Sequence, residues 1–260
     1  MPRSIWNGTI TFAMVNVPIK LYSATESKTI HFREVHVKDG ARIEHRRICP
    51  KEGREVPYKE IVKGYEVAPD QYVVLDKEEI KAAAGDRGKV VHLDEFVEAA
   101  DIDPVFYDKT YYVGSRDDAN AYRLLHDALR RSGRAGIGRF TFHDREYLVA
   151  VRALDGGMAL HTLRFHDEVV RGKDLELETS GRKPSRREVQ MAEQLVESLH
   201  EDFDPRRYED TYRAAVEALI ERKAAGEEID LLEQEEPEQG DDLAAALEAS
   251  LGGPETKAGS

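Results

Sequence analysis

The sequence predicts a mixed β/α fold that is mainly β: an antiparallel barrel or sandwich followed by a helical C-terminal part. Three observations carry this. From about Ile5 to Phe165 short apolar alternations recur between turn residues, the mark of strands with two unlike faces. One long helical periodicity interrupts them near residue 120. After Arg171 the apolar spacing changes to that of helices and keeps it to about Gly226.

The first strands come from Arg3–Tyr22, where Ile10, Phe12 and Met14 alternate with Thr9, Thr11 and Ala13, and Val17, Ile19 and Leu21 resume the alternation. Pro18 between them lacks a ladder donor, so it should interrupt the pairing or sit on an edge. Thr29–Val37, Tyr72–Leu75, Val90–Leu93, Thr110–Val113, Gly138–Phe142, Tyr147–Leu154 and Met158–Phe165 read as further strands, the last two joined by a hairpin turn at Asp155-Gly156-Gly157. A short helix should begin near Asp76 with Ile80 inward. A longer one is capped by Ser115 with Asp118 three positions on, carries Ala121, Leu124, Leu125, Ala128 and Leu129 on one face, and is ended by Gly133, Gly136 and Gly138. Beyond a polar connector, Ser185 and Glu188 form a capping box ahead of Val189, Ala192, Leu195, Val196 and Leu199. Asp204-Pro205 should start a second helix, with Tyr208, Tyr212, Ala215, Val216, Leu219 and Ile220 on its apolar face and Gly226 as its stop. No internal repeat is visible.

The 260 residues are ample for a sizeable core. No apolar run is long enough to span a bilayer, no secretory h-region opens the chain, and the single Cys49 forbids an internal disulfide framework. A soluble intracellular protein is the expectation. The net charge of −13 is unevenly spread: residues 1–170 hold 26 basic and 27 acidic side chains, whereas residues 227–260 hold 1 and 11. The acidic tail, too polar to pack, should be disordered, and the balanced body can still present a basic face to a polyanion.

The most informative charged stretch is an excursion broken by Gly40, Pro50, Gly53, Pro57 and Gly64. It carries Arg33, Lys38, Arg42, Arg46, Arg47, Lys51, Arg54, Lys59 and Lys63, diluted by Glu34, Asp39, Glu44, Glu52, Glu55 and Glu60. It reads either as a solvated surface arm or as a nucleic-acid contact. Lys109, and the connector residues Arg171, Arg182, Lys183, Arg186 and Arg187, extend the basic set. His45 and Cys49 look like half of a metal knuckle, yet one His and one Cys are not a four-ligand site. His161, His166, Asp167 and Glu168 could suggest a metal cluster, but an odd separation on one strand sends the two histidines to opposite faces. No H-E-x-x-H, Walker A loop or G-x-S-x-G elbow occurs. Neither metal, cofactor nor catalytic constellation is expected. Asp241–Leu251 aligns Leu243, Leu247 and Leu251 on one helical stripe, too short to be stable alone; it is either a frayed tail or a motif that folds on a partner.

The opening R-x-I-W-x-G-x-I-x-F followed by V-N-V-P-I-K-L-Y resembles the start of the bacterial Ku proteins, the homodimeric DNA-end-binding factors of non-homologous end joining. The likeness continues through I-V-K-G-Y-E (Ile61–Glu66), D-I-D-P (Asp101–Pro104), Y-Y-V (Tyr111–Val113), L-H-T-L-R-F-H-D-E-V (Leu160–Val169) and F-D-P-x-x-Y-x-D-x-Y (Phe203–Tyr212). It implies an antiparallel β-barrel core over residues 1–170, with a DNA-encircling bridge insertion at about 33–66. It further implies a helical arm for dimerisation over 171–226, and an acidic tail, 227–260, whose segment 241–251 docks the ATP-dependent multidomain end-joining DNA ligase. The implied function is sequence-independent binding of double-stranded DNA ends by a preformed homodimeric ring, with no enzymatic activity. Many relatives end in a Lys-rich extension; this chain has Lys257 and little else, so tail-assisted DNA binding is not carried over. A protein-interaction scaffold without nucleic acid and a DNA-processing hydrolase are the rival readings.

Overall fold

The computed structural model describes residues 3–84, 89–142, 145–175 and 183–227. The chain divides into two compact units, residues 1–175 and residues 176–260.

The first unit is built on nine strands: β1 (Trp6–Phe12), β2 (Val15–Ser23), β3 (Lys63–Ala68), β4 (Gln71–Leu75), β5 (Val90–Glu98), β6 (Tyr107–Ser115), β7 (Arg134–Phe142), β8 (Arg145–Leu154) and β9 (Gly157–Leu163). Seven close into a barrel in the order β1-β2-β6-β9-β8-β7-β5, and β3 and β4 form a separate two-stranded ribbon. Every barrel pair is antiparallel except β5 and β1, which close the barrel in parallel.

The opening alternation does what its period predicts: Ile10, Val17, Ile19 and Leu21 are almost wholly buried in the barrel. Met14 departs from it. Strand β1 ends at Phe12, Ala13 turns with a φ of 47°, and Met14 is left 95% exposed at the tip. Pro18 lies inside β2, yet costs the sheet nothing. Its carbonyl faces β6 and accepts the Arg116 amide at 3.1 Å, while pairing with β6 begins only at Ile19. The missing donor therefore falls where that ladder has ended.

Helix α1 (Lys77–Ala84) starts as expected, with the Asp76 carboxylate accepting the Glu78 and Glu79 amides at 2.8 Å and Ile80 half-buried. Helix α2 (Ala119–Ser132) is capped by Asp118, not Ser115, because Ser115 is spent as the last residue of β6. Leu125 and Leu129 enter the core, and the Tyr122 hydroxyl ties the helix to the barrel by donating to the Val113 carbonyl (2.7 Å) and accepting the Met158 amide (3.1 Å). Leu124, placed on the same apolar face by spacing, is exposed. Gly133 alone ends the helix, in the left-handed conformation. Gly136 and Gly138 belong to β7, which starts earlier than its apolar run suggests because β5 crosses it too closely for side chains.

The hairpin between β8 and β9 turns at Asp155-Gly156, with Gly156 at φ 88°. Strand β9 stops at Leu163, and the Arg164 amide turns to the Phe106 carbonyl (2.8 Å). It is buried on both faces: Met158 and Leu160 join the barrel core, while Leu163 packs outside with Ala99, Ile102, Phe106 and Tyr107. The strand expected at Thr29–Val37 does not form. Among the described residues no strand runs alongside it, and its sole pairing there is an isolated bridge between Val35 and Arg42.

In the second unit α3 (Arg186–Ser198) carries the expected Ser185–Glu188 capping box. Asp204-Pro205 makes only a single 3-10 turn, because Tyr208 returns to extended backbone and Asp210 then caps a fresh helix, α4 (Thr211–Ala224). Neither helix buries a residue. The Leu243, Leu247 and Leu251 stripe lies outside the described residues. No described helix is long and apolar enough to cross a membrane.

A Cβ at Gly138 would stand 1.9 Å from the His92 carbonyl oxygen, a backbone atom that cannot step aside. Gly138→Ala should therefore cost at least about 3 kcal/mol in urea denaturation, in the range of the larger core defects; wild-type stability would mean that β5 moves freely past β7.

Candidate nucleic-acid interface

The basic arm leaves the barrel after β2 and returns at β5. Between residues 31 and 76 only Cys49, Val56 and Ala68 are even half-buried. Local backbone geometry, not a core, holds its first part. Two small hairpins follow one another, Val35–Arg42 and Ile48–Glu55, each closed by an antiparallel bridge between its end residues. The His36 amide donates to the Ala41 carbonyl and the Gly40 amide to the His36 carbonyl, at 2.7 and 2.8 Å. The Cys49 amide donates to Arg54 and the Gly53 amide to Cys49 in the same manner, at 2.9 and 2.8 Å. Gly40 and Gly53 take φ values of 69° and 65°.

These hairpins are an internal repeat at an offset of thirteen residues, V-H-V-K-D-G-A-R against I-C-P-K-E-G-R-E. Identity is confined to the Lys and Gly of each turn, so the sequence conceals it; the signal was K-[DE]-G recurring inside one excursion. Lys38 and Lys51 stand at equivalent positions in the two turns. Asp39 accepts from the Ala41 amide and bonds the His36 ring, which holds its carboxyl below the usual range.

The nine cations assigned to this arm separate into two groups. Arg46 lies 3.4 Å from Glu44 and 3.9 Å from Glu55, Arg54 is paired with Glu52 and Glu60, and Arg47 rests over the Tyr58 ring at 5.5 Å. Arg33, Lys38, Arg42, Lys51, Lys59 and Lys63 have no side-chain partner among the described residues. They are spread along the arm: Lys38 and Lys51 in the turns, Arg42 at a hairpin foot, Lys59 in the 3-10 turn Tyr58–Glu60, Lys63 opening β3. A groove of about 580 Å³ runs past Arg42, His45, Arg46 and Glu55.

Lys109 is exposed on β6, outside the arm. Arg171 is ion-paired with Asp174 at 2.8 Å. Lys183, Arg186 and Arg187 surround the start of α3 in the second unit, and Arg182 lies outside the described residues. Two arginines in a first turn oppose the helix dipole, so helix formation does not explain them.

The closed barrel thus projects an arm without a core that carries nine cations. Over residues 11–191 the chain matches the family model described as the Ku70/Ku80 β-barrel domain. It is 47% identical over 255 residues to "Non-homologous end joining protein Ku" of Anaeromyxobacter sp. (strain K), covering 96% of this chain and 86% of that protein. It is 36% identical over 259 residues to the Mycobacterium tuberculosis (strain H37Rv) protein of the same name, covering 96% and 94%. The chain belongs to the Ku β-barrel family.

One stretch of the resemblance, Leu160–Val169, holds the histidines that suggested a metal. His161 is buried on β9, whereas His166 lies beyond the strand in a 3-10 turn, so strand parity does not relate them. No group of three or more His, Cys, Asp or Glu is placed to share a metal among the described residues. The His161 Nε2 accepts the Arg152 Nε–H at 2.9 Å, which assigns the ring proton to Nδ1, facing the Thr110 hydroxyl at 2.9 Å. Tyr107 packs edge-on against the ring. Burial, reinforced by the Arg152 charge, pushes the His161 pKa down to about 4.

The unfolded chain therefore takes up a proton between about pH 6.5 and 4 that the native ring refuses, and stability must fall as pH drops through that window. Denaturation at pH 7 and pH 5 should show this loss. His161→Gln, whose amide can replace both hydrogen bonds, should shrink it; an unchanged pH dependence would place the titrating group elsewhere.

Proposed function

We propose that this chain binds the ends of double-stranded DNA without reading sequence, as a homodimeric ring in double-strand break repair by non-homologous end joining. The observation that carries the reading is the set of six unpartnered cations along an arm without a core. Lys and Arg on phosphate supply affinity that is indifferent to base identity, which arbitrary broken ends require. The relatives' names supply the process. The role is one of binding, and the proposed setting is the bacterial cytoplasm.

What supports the dimer is the apolar surface that the described residues leave uncovered. Tyr65, Val67, Tyr72, Val73 and Val74 on the β3–β4 ribbon are all exposed, as are Val196, Leu199, Tyr208 and Tyr212 of the second unit. An isolated two-stranded ribbon is marginal in water, and with Tyr65 and Val73 on one face and Tyr72 and Val74 on the other it leaves apolar side chains uncovered on both faces. A second copy related by a two-fold axis offers each arm an identical apolar surface and doubles the cationic perimeter. The proposal extends to the domains: barrel and bridge for DNA, helices for further intersubunit burial, and the segment 241–251 for docking the ligase.

Competition between linear and covalently closed circular duplex tests the ring directly. Preference for linear DNA, with protein trapped once the ends are sealed, is the expected outcome, and equal binding would leave an open groove.

Within the arm, Lys38→Glu with Arg42→Glu should weaken DNA binding and flatten the slope of log affinity against log salt by about two. Arg46→Ala should change the slope far less, since its charge is already matched by Glu44 and Glu55; equal effects would mean that those ion pairs open on binding. Removing everything after Gly240 should spare DNA binding and abolish stimulation of the ligase. Full stimulation by the shortened chain would end the docking reading.

A further inference from the structure

One block of charge has no task in the readings above. Beyond α4, residues 228–238 carry Glu228, Asp230, Glu233, Glu235, Glu236 and Glu238, six carboxylates in eleven residues with no Lys or Arg among them. The block lies outside the described residues. The arginines that precede it along the chain are already matched. Arg222 is paired with Glu227 at 2.8 Å, Arg206 with Asp204 at 2.8 Å and Arg207 with Glu201, and Arg213 stands 4.0 Å from Glu217.

The unmatched cations are in the arm. Arg33, Lys38, Arg42, Lys51, Lys59 and Lys63 are all exposed and have no side-chain partner among the described residues. An extended chain with the spacing of the acidic block offers one charge per roughly 6 Å, whereas duplex DNA offers one per about 1.7 Å of its axis. The block is thus a polyanion of the same sign as DNA but a sparser one. It can occupy lysines and arginines, and a duplex can displace it. Being part of the same chain, it also acts at an effective concentration of roughly 1 mM, independent of how dilute the protein is.

We propose that residues 228–238 are a built-in competitor of DNA: an acidic segment that occupies the free cations of the arm when no duplex is present and gives way when one arrives. The proposal rests on the DNA-binding reading above and adds a regulation to it. Phosphate contacts that ignore sequence give the arm no means of refusing other polyanions. A tethered competitor sets a threshold, which a continuous duplex passes and a short or sparsely charged polyanion does not. An effective concentration of roughly 1 mM, against a dissociation constant of roughly 0.1 mM at the weak end of nonspecific binding, lowers DNA affinity about tenfold. The block precedes Gly240, so it is separate from the segment 241–251, and the chain shortened after Gly240 keeps it.

The test uses the full chain and a linear duplex, with fluorescence anisotropy across a salt series. Glu228→Gln, Asp230→Asn, Glu233→Gln, Glu235→Gln, Glu236→Gln and Glu238→Gln, made together, remove the charge and keep the chain length. This neutralised chain should bind about tenfold more tightly than the wild type at about 0.1 M salt. Its slope of log affinity against log salt should be steeper, and the two proteins should converge as rising salt screens the acidic block. Adding Lys38→Ala with Arg42→Ala to both chains should shrink the gain, because part of what the block occupies is then gone. An undiminished gain would mean that the block repels DNA without holding the arm, and would overturn the competition. Equal affinity and slope in the neutralised and wild-type chains, while Lys38→Glu with Arg42→Glu weakens binding, would overturn it as well and leave the DNA-binding reading standing. No binding of duplex by either chain would overturn both.

Discussion

The structure depends on one seam, where β1 meets β5 in parallel and turns an open sheet into a barrel. The Thr9 amide donates to the Lys89 carbonyl at 2.9 Å, and Ile10 and Thr11 pair with Val91 and His92. Closure removes both sheet edges at once, which no arrangement of the same strands as an open sheet would do. It also explains why Trp6 and Gly8 travel together in the opening motif. A Cβ on Gly8 would lie 2.3 Å from the Lys89 carbonyl oxygen and still closer to the Trp6 ring. The missing side chain lets β5 approach, and Trp6 folds over the gap to meet Phe140 edge-on at 5.6 Å. Trp6 and Gly8 are therefore closure residues, and with them the interior positions Ile10, Val17 and Val91 acquire a closed space to fill.

The arm is the opposite case. It leaves the barrel after β2 and spends some forty residues in solvent. Its order comes from turn geometry: two glycines at positive φ, short backbone hydrogen bonds, and a bulged ribbon. Ordering such a segment costs conformational entropy that no burial within this chain offsets. Under the proposed function, a second copy packed on the apolar ribbon and a polyanion gathered by the cations would supply the difference. Barrel and arm are thus opposite cases: one closes on a shared core, and the other stays exposed along nearly all of its described length.

Much of this was legible in the residues, for identifiable reasons. Strands that bury one face, such as β1 and β2, announce themselves by alternation, and the Ser185–Glu188 box fixes the start of α3 through two local hydrogen bonds. What failed to read was whatever depended on a neighbour distant in sequence. Thr29–Val37 has the composition of a strand but nothing alongside it. Gly136 and Gly138 looked like helix stops because their reason, the passage of β5, lies some forty residues away. Pro205 has the right chemistry to open a helix, and loses to Asp210 because Tyr208 resumes an extended backbone. The repeat of the arm hairpins went unseen because it is a repeat of backbone hydrogen bonds, carried by two residues per turn.

Charge is where sequence and structure differ most in what they can say. A total of −13 describes no surface of this molecule. Counting residues from Arg33 to Lys63 gives nine cations against six carboxylates, a small excess. Placement changes the answer, because four carboxylates are committed to Arg46 and Arg54 while Asp39 is turned toward its own hairpin. The six cations that remain are set apart along the arm, too dispersed for one small anion and well suited to a row of phosphates. The property that matters for a polyanion is which cations lack a matching negative charge.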